Sequence, residues 1–286
     1  MRKSLIPGSV LIAVCIAATC LGGEPFFLQR HVAEVAPKAD DLTANAKGAV
    51  YRPIFGIGAP DAEKLQGIAR YGELTVSPGG SSATVSYPSE EQIYYVLAGN
   101  GTLLYDGQRV QIKRDDFMYL PVNVKHGVAN AGTGPVRVMV MGYKIPAGRQ
   151  APQPAGLMLA NAGEVSLQVL ASHGPTTQFK LLMGQTTSQR DKLAAASEMT
   201  SLFIMDFAAG GTNIPHQHAT EEEIYFLLRG SGDIVAGKNA EGQDWRHPVK
   251  EGAAFFYGPG TRVGFYSAAK EGQEHDLILA IRSRLP

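Results

Sequence analysis

Three residues late in the chain, His216, His218 and Glu223, have the types and spacing of a metal-ligand set. A strand carries residues i and i+2 on one face, so the imidazoles of His216 and His218 point the same way. Glu223 opens the next apolar run, where residues 223, 225 and 227 share a face. If the two strands pair side by side, two neutral imidazoles and one carboxylate converge. That donor set suits a divalent transition metal (Fe, Mn, Ni, Co or Zn) and leaves coordination positions open for water or substrate. Tyr225, on the face of Glu223, is the candidate proton-transfer residue, against the plainer reading of a packed barrel tyrosine. The plainer reading of Glu221-Glu222-Glu223 is a solvated acidic cluster, against which stands the set of three ligand types at this spacing.

These residues sit in a repeated frame. GGSSATVSYPSEEQIYYVLAGNG, from Gly79, matches GGTNIPHQHATEEEIYFLLRGSG, from Gly210, without a gap at an offset of 131, with nine of 23 positions identical. A second pair, starting at Asp115 and Gly252, matches at an offset of 137, and the six extra residues fall in the polar connection Gly237 to His247. Around both copies, short runs rich in Val, Ile, Leu, Phe and Tyr alternate with Gly, Asn, Asp and Pro at strand-and-turn spacing, which predicts an all-β chain of two small barrels. Asn100-Gly101 and Asp106-Gly107 are expected hairpin turns. Thr186 to Glu198 reads as helical or mobile, a lid or surface arm, with an ordinary surface connection as the alternative.

The spacing Gly210, His216, His218, Glu223, Gly230 resembles the first motif of the cupin superfamily, G-x5-H-x-H-x3,4-E-x6-G, and the chain from about residue 50 to 286 resembles a bicupin. The resemblance implies two tandem cupin (double-stranded β-helix, jelly-roll) barrels with metal in a barrel mouth. The second cupin motif is matched at Gly252, Pro259 (displaced by one) and Gly260, but its histidine position falls on Val263, which cannot ligate. His247 and His275 read as surface histidines rather than replacements. In the first copy the ligand positions are Val85, Tyr87 and Gln92, while His126 and Asn130 keep the second-motif pair, so that barrel is expected to hold no metal.

The expected organisation is a leader over 1–23, an N-terminal extension over 24–49, an N-terminal barrel over 50–145 with lost ligands, a linker over 146–160, and a C-terminal barrel with the metal site over 161–286. Arg2 and Lys3, then an apolar run from Leu5 to Ala18, have the order of an export signal, with an uncleaved anchor as the alternative. Cys15 and Cys20 both lie in this leader, so no disulfide framework is expected beyond it. A lipoprotein anchor at Cys20 would place Thr19 where a smaller residue is usual. The expected location is therefore periplasmic or secreted, without membrane insertion after processing. With 26 Lys plus Arg against 26 Asp plus Glu and a pI near 7.1, no charge excess favours nucleic acid.

Two functions fit. One is an exported metal-dependent bicupin acting on a small oxygen-rich molecule by dioxygenase-like or other metal-assisted chemistry. The other is a non-catalytic periplasmic cupin that binds a small molecule or sugar. Sheet edges leave homodimerisation open.

Overall fold

The structure is a computed structural model and describes residues 26–170 and 173–286; the expected leader over 1–23 lies outside the described residues. From the N-terminus the strands are β1 (Phe27–His31), β2 (Lys47–Gly56), β3 (Ile68–Ser81), β4 (Glu90–Ala98), β5 (Asn100–Tyr105), β6 (Gln108–Lys113), β7 (Asp116–Leu120), β8 (His126–Ala129), β9 (Val136–Lys144) and β10 (Met158–Asn161). The second half supplies β11 (Thr177–Gln185), β12 (Leu193–Ala196), β13 (Met199–Phe207), β14 (Thr212–Gln217), β15 (Glu221–Arg229), β16 (Ser231–Lys238), β17 (Asp244–Lys250), β18 (Ala253–Tyr257), β19 (Arg262–Ser267) and β20 (Asp276–Arg284). The helices among the described residues are single 3-10 turns, and none is long and apolar enough to cross a membrane.

In the first half one continuous sheet runs β10-β7-β4-β9-β3-β8-β5-β6, with β2 added to β3. The second half divides into β1-β18-β15-β20-β13-β11-β12 and β14-β19-β16-β17. The central strands explain the apolar runs of the sequence. On β9, Val136, Val138 and Val140 point into the first barrel while Met139, Met141 and Tyr143 point out of it into a second core. On β15, Tyr225 and Leu227 face the second barrel's interior, and Ile224 and Phe226 face that same shared core. Each central strand is thus buried on both faces, and the two barrels pack through their large sheets.

The segments outside the barrels are exchanged. β1 pairs antiparallel with β18 of the second barrel, Phe27 opposite Tyr257 and His31 opposite Ala253. β10, in the segment expected as linker, pairs with β7 of the first barrel, Met158 opposite Tyr119 and Asn161 opposite Asp116. Both cover what would otherwise be open sheet edges.

Two glutamates of the repeat lock the barrels together. Glu91 accepts hydrogen bonds from the backbone N–H groups of Ser197 (2.8 Å), Glu198 (2.8 Å) and Met199 (2.9 Å). Glu222, its equivalent at the offset of 131, accepts from Gln66 (2.6 Å), Gly67 (2.8 Å) and Ile68 (3.1 Å), which are the equivalents of those three donors. Both carboxylates are fully buried, so for Glu222 the reading of a solvated acidic cluster does not hold. Burial pushes both carboxyls up, opposed by the backbone donors that favour their ionised forms.

Two local expectations differ. Thr186 to Glu198 contains no helix: it makes a turn and then β12, which runs parallel to β11 with Ala195 and Ala196 buried. Small side chains let this strand lie close against the shared core, which the run of alanines disguised as helix propensity. Asp106-Gly107 does form a turn, with both φ positive (47° and 81°), but Asn100-Gly101 lies within β5, and the reversal before it is at Gly99. Gly99 and its counterpart Gly230 have φ of 81° and 93°, and a Cβ at Gly230 would stand 1.7 Å from Asp276 Oδ1.

Candidate metal centre

His216 lies near the end of β14, His218 just beyond it, and Glu223 on β15. These two strands are not neighbours, as the side-by-side expectation had it. β14 pairs with β19 in the smaller sheet, and β15 lies in the larger one, so the three residues meet across the barrel. The chain between them is a short connection, and Gly260 N–H holds it by donating to His218 O at 2.7 Å.

The donor atoms of His216, His218 and Glu223 lie within 4.8 Å of one another. The two Nε2 atoms are 3.1 Å apart, and His218 Nε2 is 3.4 Å from Glu223 Oε2. Neighbouring ligands on a small divalent cation, each about 2.0–2.2 Å from it, stand roughly 2.9–3.5 Å apart, so both separations fit. The longest pair needs a small rotation of a side chain to close on one ion. His216 Nδ1 lies 2.9 Å from Ile214 O, which places the ring proton on Nδ1 and leaves the Nε2 lone pair for a metal. Glu223 Oε2 is buried without a hydrogen-bond partner among the described residues.

Burial dominates the electrostatics. It pushes the Glu223 carboxyl up to about 8, against the attraction of Arg282, and lowers His216 and, to about 4, His218. An uncompensated anion is costly here, and a cation would relieve it.

The three residues line a cavity of about 40 Å³, which is room for about three water molecules. Leu170, Phe179, Leu181, Phe203 and Met205 give it apolar walls. Tyr225 also lines it, fully buried, with its hydroxyl accepting from Asn213 Nδ2 at 2.8 Å and its ring edge-on to Tyr257. Burial raises the Tyr225 hydroxyl well above its ordinary range, so it is a proton holder rather than a base.

Three titratable groups of this cavity have no counterpart among the motif residues: His173, Arg190 and Arg282. The His173 ring stands edge-on to His216, with centroids 5.3 Å apart, and its Nδ1 is buried without a partner among the described residues. Arg190 comes from the turn before β12 and Arg282 from the last strand, far from the repeat's matching stretch, so spacing could not reveal them. Val263, at the missing histidine position, is paired with His216 across β14 and β19 and sits in the barrel core. His247 packs among Phe27, Trp245 and Phe255, and His275 bonds Asp206; neither joins the triad.

In the first barrel the equivalent bridge joins Val85 to His126. His126 is buried beside Tyr87 and Tyr94, its Nδ1 on Val124 O at 3.0 Å. Asn130 ties down a turn, donating to Val76 O and Gly134 O. Each barrel therefore lacks what the other keeps: the first has the fourth-position histidine without the triad, the second the triad without the histidine.

Comparison with known proteins agrees with this architecture. Residues 72–142, within the first barrel, match the cupin domain family. An uncharacterized protein of Methanocaldococcus jannaschii is 28% identical over 71 residues, 25% of this chain, and the alignment spans 57% of that protein's length. Among solved structures, a putative glyoxylate-induced protein from Pseudomonas aeruginosa superposes with a TM-score of 0.70 at 14% identity, covering 98% of this chain and 96% of the other. Protein YlbA from E. coli gives 0.66 at 17% identity, covering 93% and 94%. The oxalate decarboxylase of Lactobacillus farciminis, in its formate complex, gives 0.64 at 10% identity, covering 91% and 86%. At these identities the likeness is one of fold. Residues 72–142 thus carry a cupin domain, and the chain shares the two-barrel fold of these structures along nearly its whole length.

Proposed function

We propose that the protein is an exported, metal-dependent bicupin enzyme acting on a small oxygen-rich molecule in its C-terminal barrel. The observation that carries this reading is the convergence of His216, His218 and Glu223 on a cavity walled in part by Leu170, Phe179, Leu181, Phe203 and Met205. A divalent cation held there supplies Lewis acidity toward a carbonyl or enolate oxygen of the substrate. Ile214 O fixes the His216 tautomer, the apolar walls exclude bulk water, and Tyr225 holds a proton on an oxygen already oriented by Asn213. The order of residues 1–23 supports export, and the fold shared with an oxalate decarboxylase keeps decarboxylation beside oxygenation as the reaction class.

The test is metal content by mass spectrometry on purified protein, followed by oxygen uptake with catechols, flavonoids and diketones and by carbon dioxide release from oxalate. One divalent ion per chain, lost in both His216→Ala and Glu223→Ala together with turnover, is expected. Metal retained in both variants removes the site. Metal bound without turnover of any substrate class, together with ligand binding that survives, replaces the enzyme by a binding protein, the reading favoured by the absent histidine at Val263.

A further inference from the structure

The two barrels treat an arginine at one place differently. In the second barrel Glu223 on β15 stands opposite Arg282 on β20, and Arg282 opposite Ser201 on β13. The matching positions in the first barrel are Gln92 on β4, Gly142 on β9 and Arg70 on β3. Both barrels thus carry a guanidinium here, one from a flanking strand and one from the central strand. Gly142 makes the room, since a Cβ there would stand 2.7 Å from Arg70 Cγ. Each arginine pairs with the equivalent glutamate of the repeat, Arg70 with Glu90 at 3.0 Å and Arg282 with Glu221 at 3.2 Å.

What completes the two differs. Arg70 Nη1 is met by Asp41 Oδ1 at 3.0 Å and Asp40 Oδ1 at 3.5 Å, brought in by the 3-10 turn Asp41–Thr43 and its cap, and the guanidinium lies 4.3 Å from the ring of Tyr87, the counterpart of His218. An ungapped alignment of residues 32–43 with 162–173 sets Leu170 and Ala171 against Asp40 and Asp41, so the sequence has no carboxylate at those two aligned positions. Among the described residues Arg282 has Glu221 as its one ion-pair partner, and its Nε is buried without a hydrogen-bond partner. Arg190 lines the same cavity, with Nη2 donating to Ser201 Oγ at 3.0 Å and Nε paired with Asp191 at 3.3 Å. A guanidinium short of acceptors in an apolar enclosure favours an anion that can take its fork of N–H groups.

We propose that the C-terminal cavity binds a small carboxylate on Arg282 and Arg190, as Asp41 of the chain itself binds Arg70 in the N-terminal barrel. The inference rests on the reading above for the adjoining metal and deepens it by naming the substrate class. With a divalent cation beside Glu223, the positive charges of the cation, Arg282 and Arg190 exceed those of Glu223, Glu221 and Asp191 by one, and a single carboxylate completes the balance. The cavity of about 40 Å³ limits that carboxylate to a few heavy atoms.

The test is calorimetric titration of the Mn(II)-loaded and the metal-stripped protein with glycolate and with neutral glycolamide. Glycolate is expected to bind at least tenfold more tightly than glycolamide. Arg282→Gln is expected to weaken glycolate at least tenfold with Mn(II) content unchanged, Arg282→Lys to recover part of the loss, and Arg190→Gln to weaken it severalfold. Leu170→Asp, which supplies a carboxylate from the chain, is expected to displace glycolate. Equal affinities for the two probes, or glycolate binding unchanged in Arg282→Gln and Arg190→Gln, overturns the proposal. If the protein takes up none of Mn(II), Fe(II), Co(II), Ni(II) and Zn(II), the metal reading fails, while glycolate binding to the metal-free chain and its loss in Arg282→Gln still supports this one; glycolate binding to neither the metal-loaded nor the metal-free form overturns it.

Discussion

Replacing Glu222 by alanine tests the joint between the barrels most directly. Its carboxylate accepts three backbone N–H bonds, from Gln66, Gly67 and Ile68, and is fully buried, so the substitution strands three donors in the interface. Each buried donor left unpaired costs about 1–3 kcal/mol, and water entering the space vacated by the side chain returns part of that, which gives a loss of about 3–6 kcal/mol. Domain stabilities run at about 5–15 kcal/mol, so the loss is a large fraction of the whole. Glu222→Gln keeps one acceptor oxygen at nearly the same volume and turns its amide group toward donors, for an expected loss of about 2–3 kcal/mol. The measurement is urea unfolding followed by tyrosine fluorescence and by circular dichroism, with Glu91→Ala as the symmetry-related partner. Glu91 takes a fourth donor, Tyr119 Oη at 3.1 Å, so its loss should be at least as large. A cost below about 1 kcal/mol in both variants refutes the reasoning, because stranded donors in a closed interface cannot be that cheap.

Further outcomes follow from other sites. Val263→His places an imidazole opposite His216, as His126 stands opposite Val85, and is expected to tighten metal binding at least tenfold in competition with a chelator; unchanged affinity contradicts the equivalence of the two bridges. Burial lowers His126 to about 4 from an ordinary 6.5, so the unfolded chain binds the proton more readily and stability falls as pH drops from about 6.5 toward 4. The full effect is on the order of 3 kcal/mol, read by urea unfolding across that window, and His126→Gln should remove this portion of the slope. Gly230→Ala forces a side chain onto a residue with φ of 93° and against Asp276, with an expected loss of about 2 kcal/mol or more in thermal unfolding.

The repeat at the offset of 131 announced two barrels, because strand alternation and turn glycines are local signals that survive even when ligands change. The triad was readable for the same reason, since His216, His218 and Glu223 lie within eight consecutive residues. Their placement on opposite sheets was not, because spacing along the chain does not say which strands pair. Glu222 was open to reading as a solvated acid: nothing in a Glu-Glu run tells that its partners are backbone N–H groups of the other barrel, although the recurrence of Glu91 and Glu222 in the repeat was a usable signal. Arg190, Arg282 and His173 enter from a turn, the final strand and a connection, positions joined only by the folded barrel. β1 and β10 are too short to show a period, and their destinations depend on which edge stands open.

That crossing of first strands governs the order in which the molecule can be completed. β1 finds its partner β18 only after more than two hundred further residues have been made, so a ribosome releases the opening segment long before its docking place exists. The earlier barrel, likewise, waits for β10 to close its flank. Separating the halves genetically would leave each with a borrowed piece missing and an adhesive border bare, and closing such distant contacts makes maturation slow.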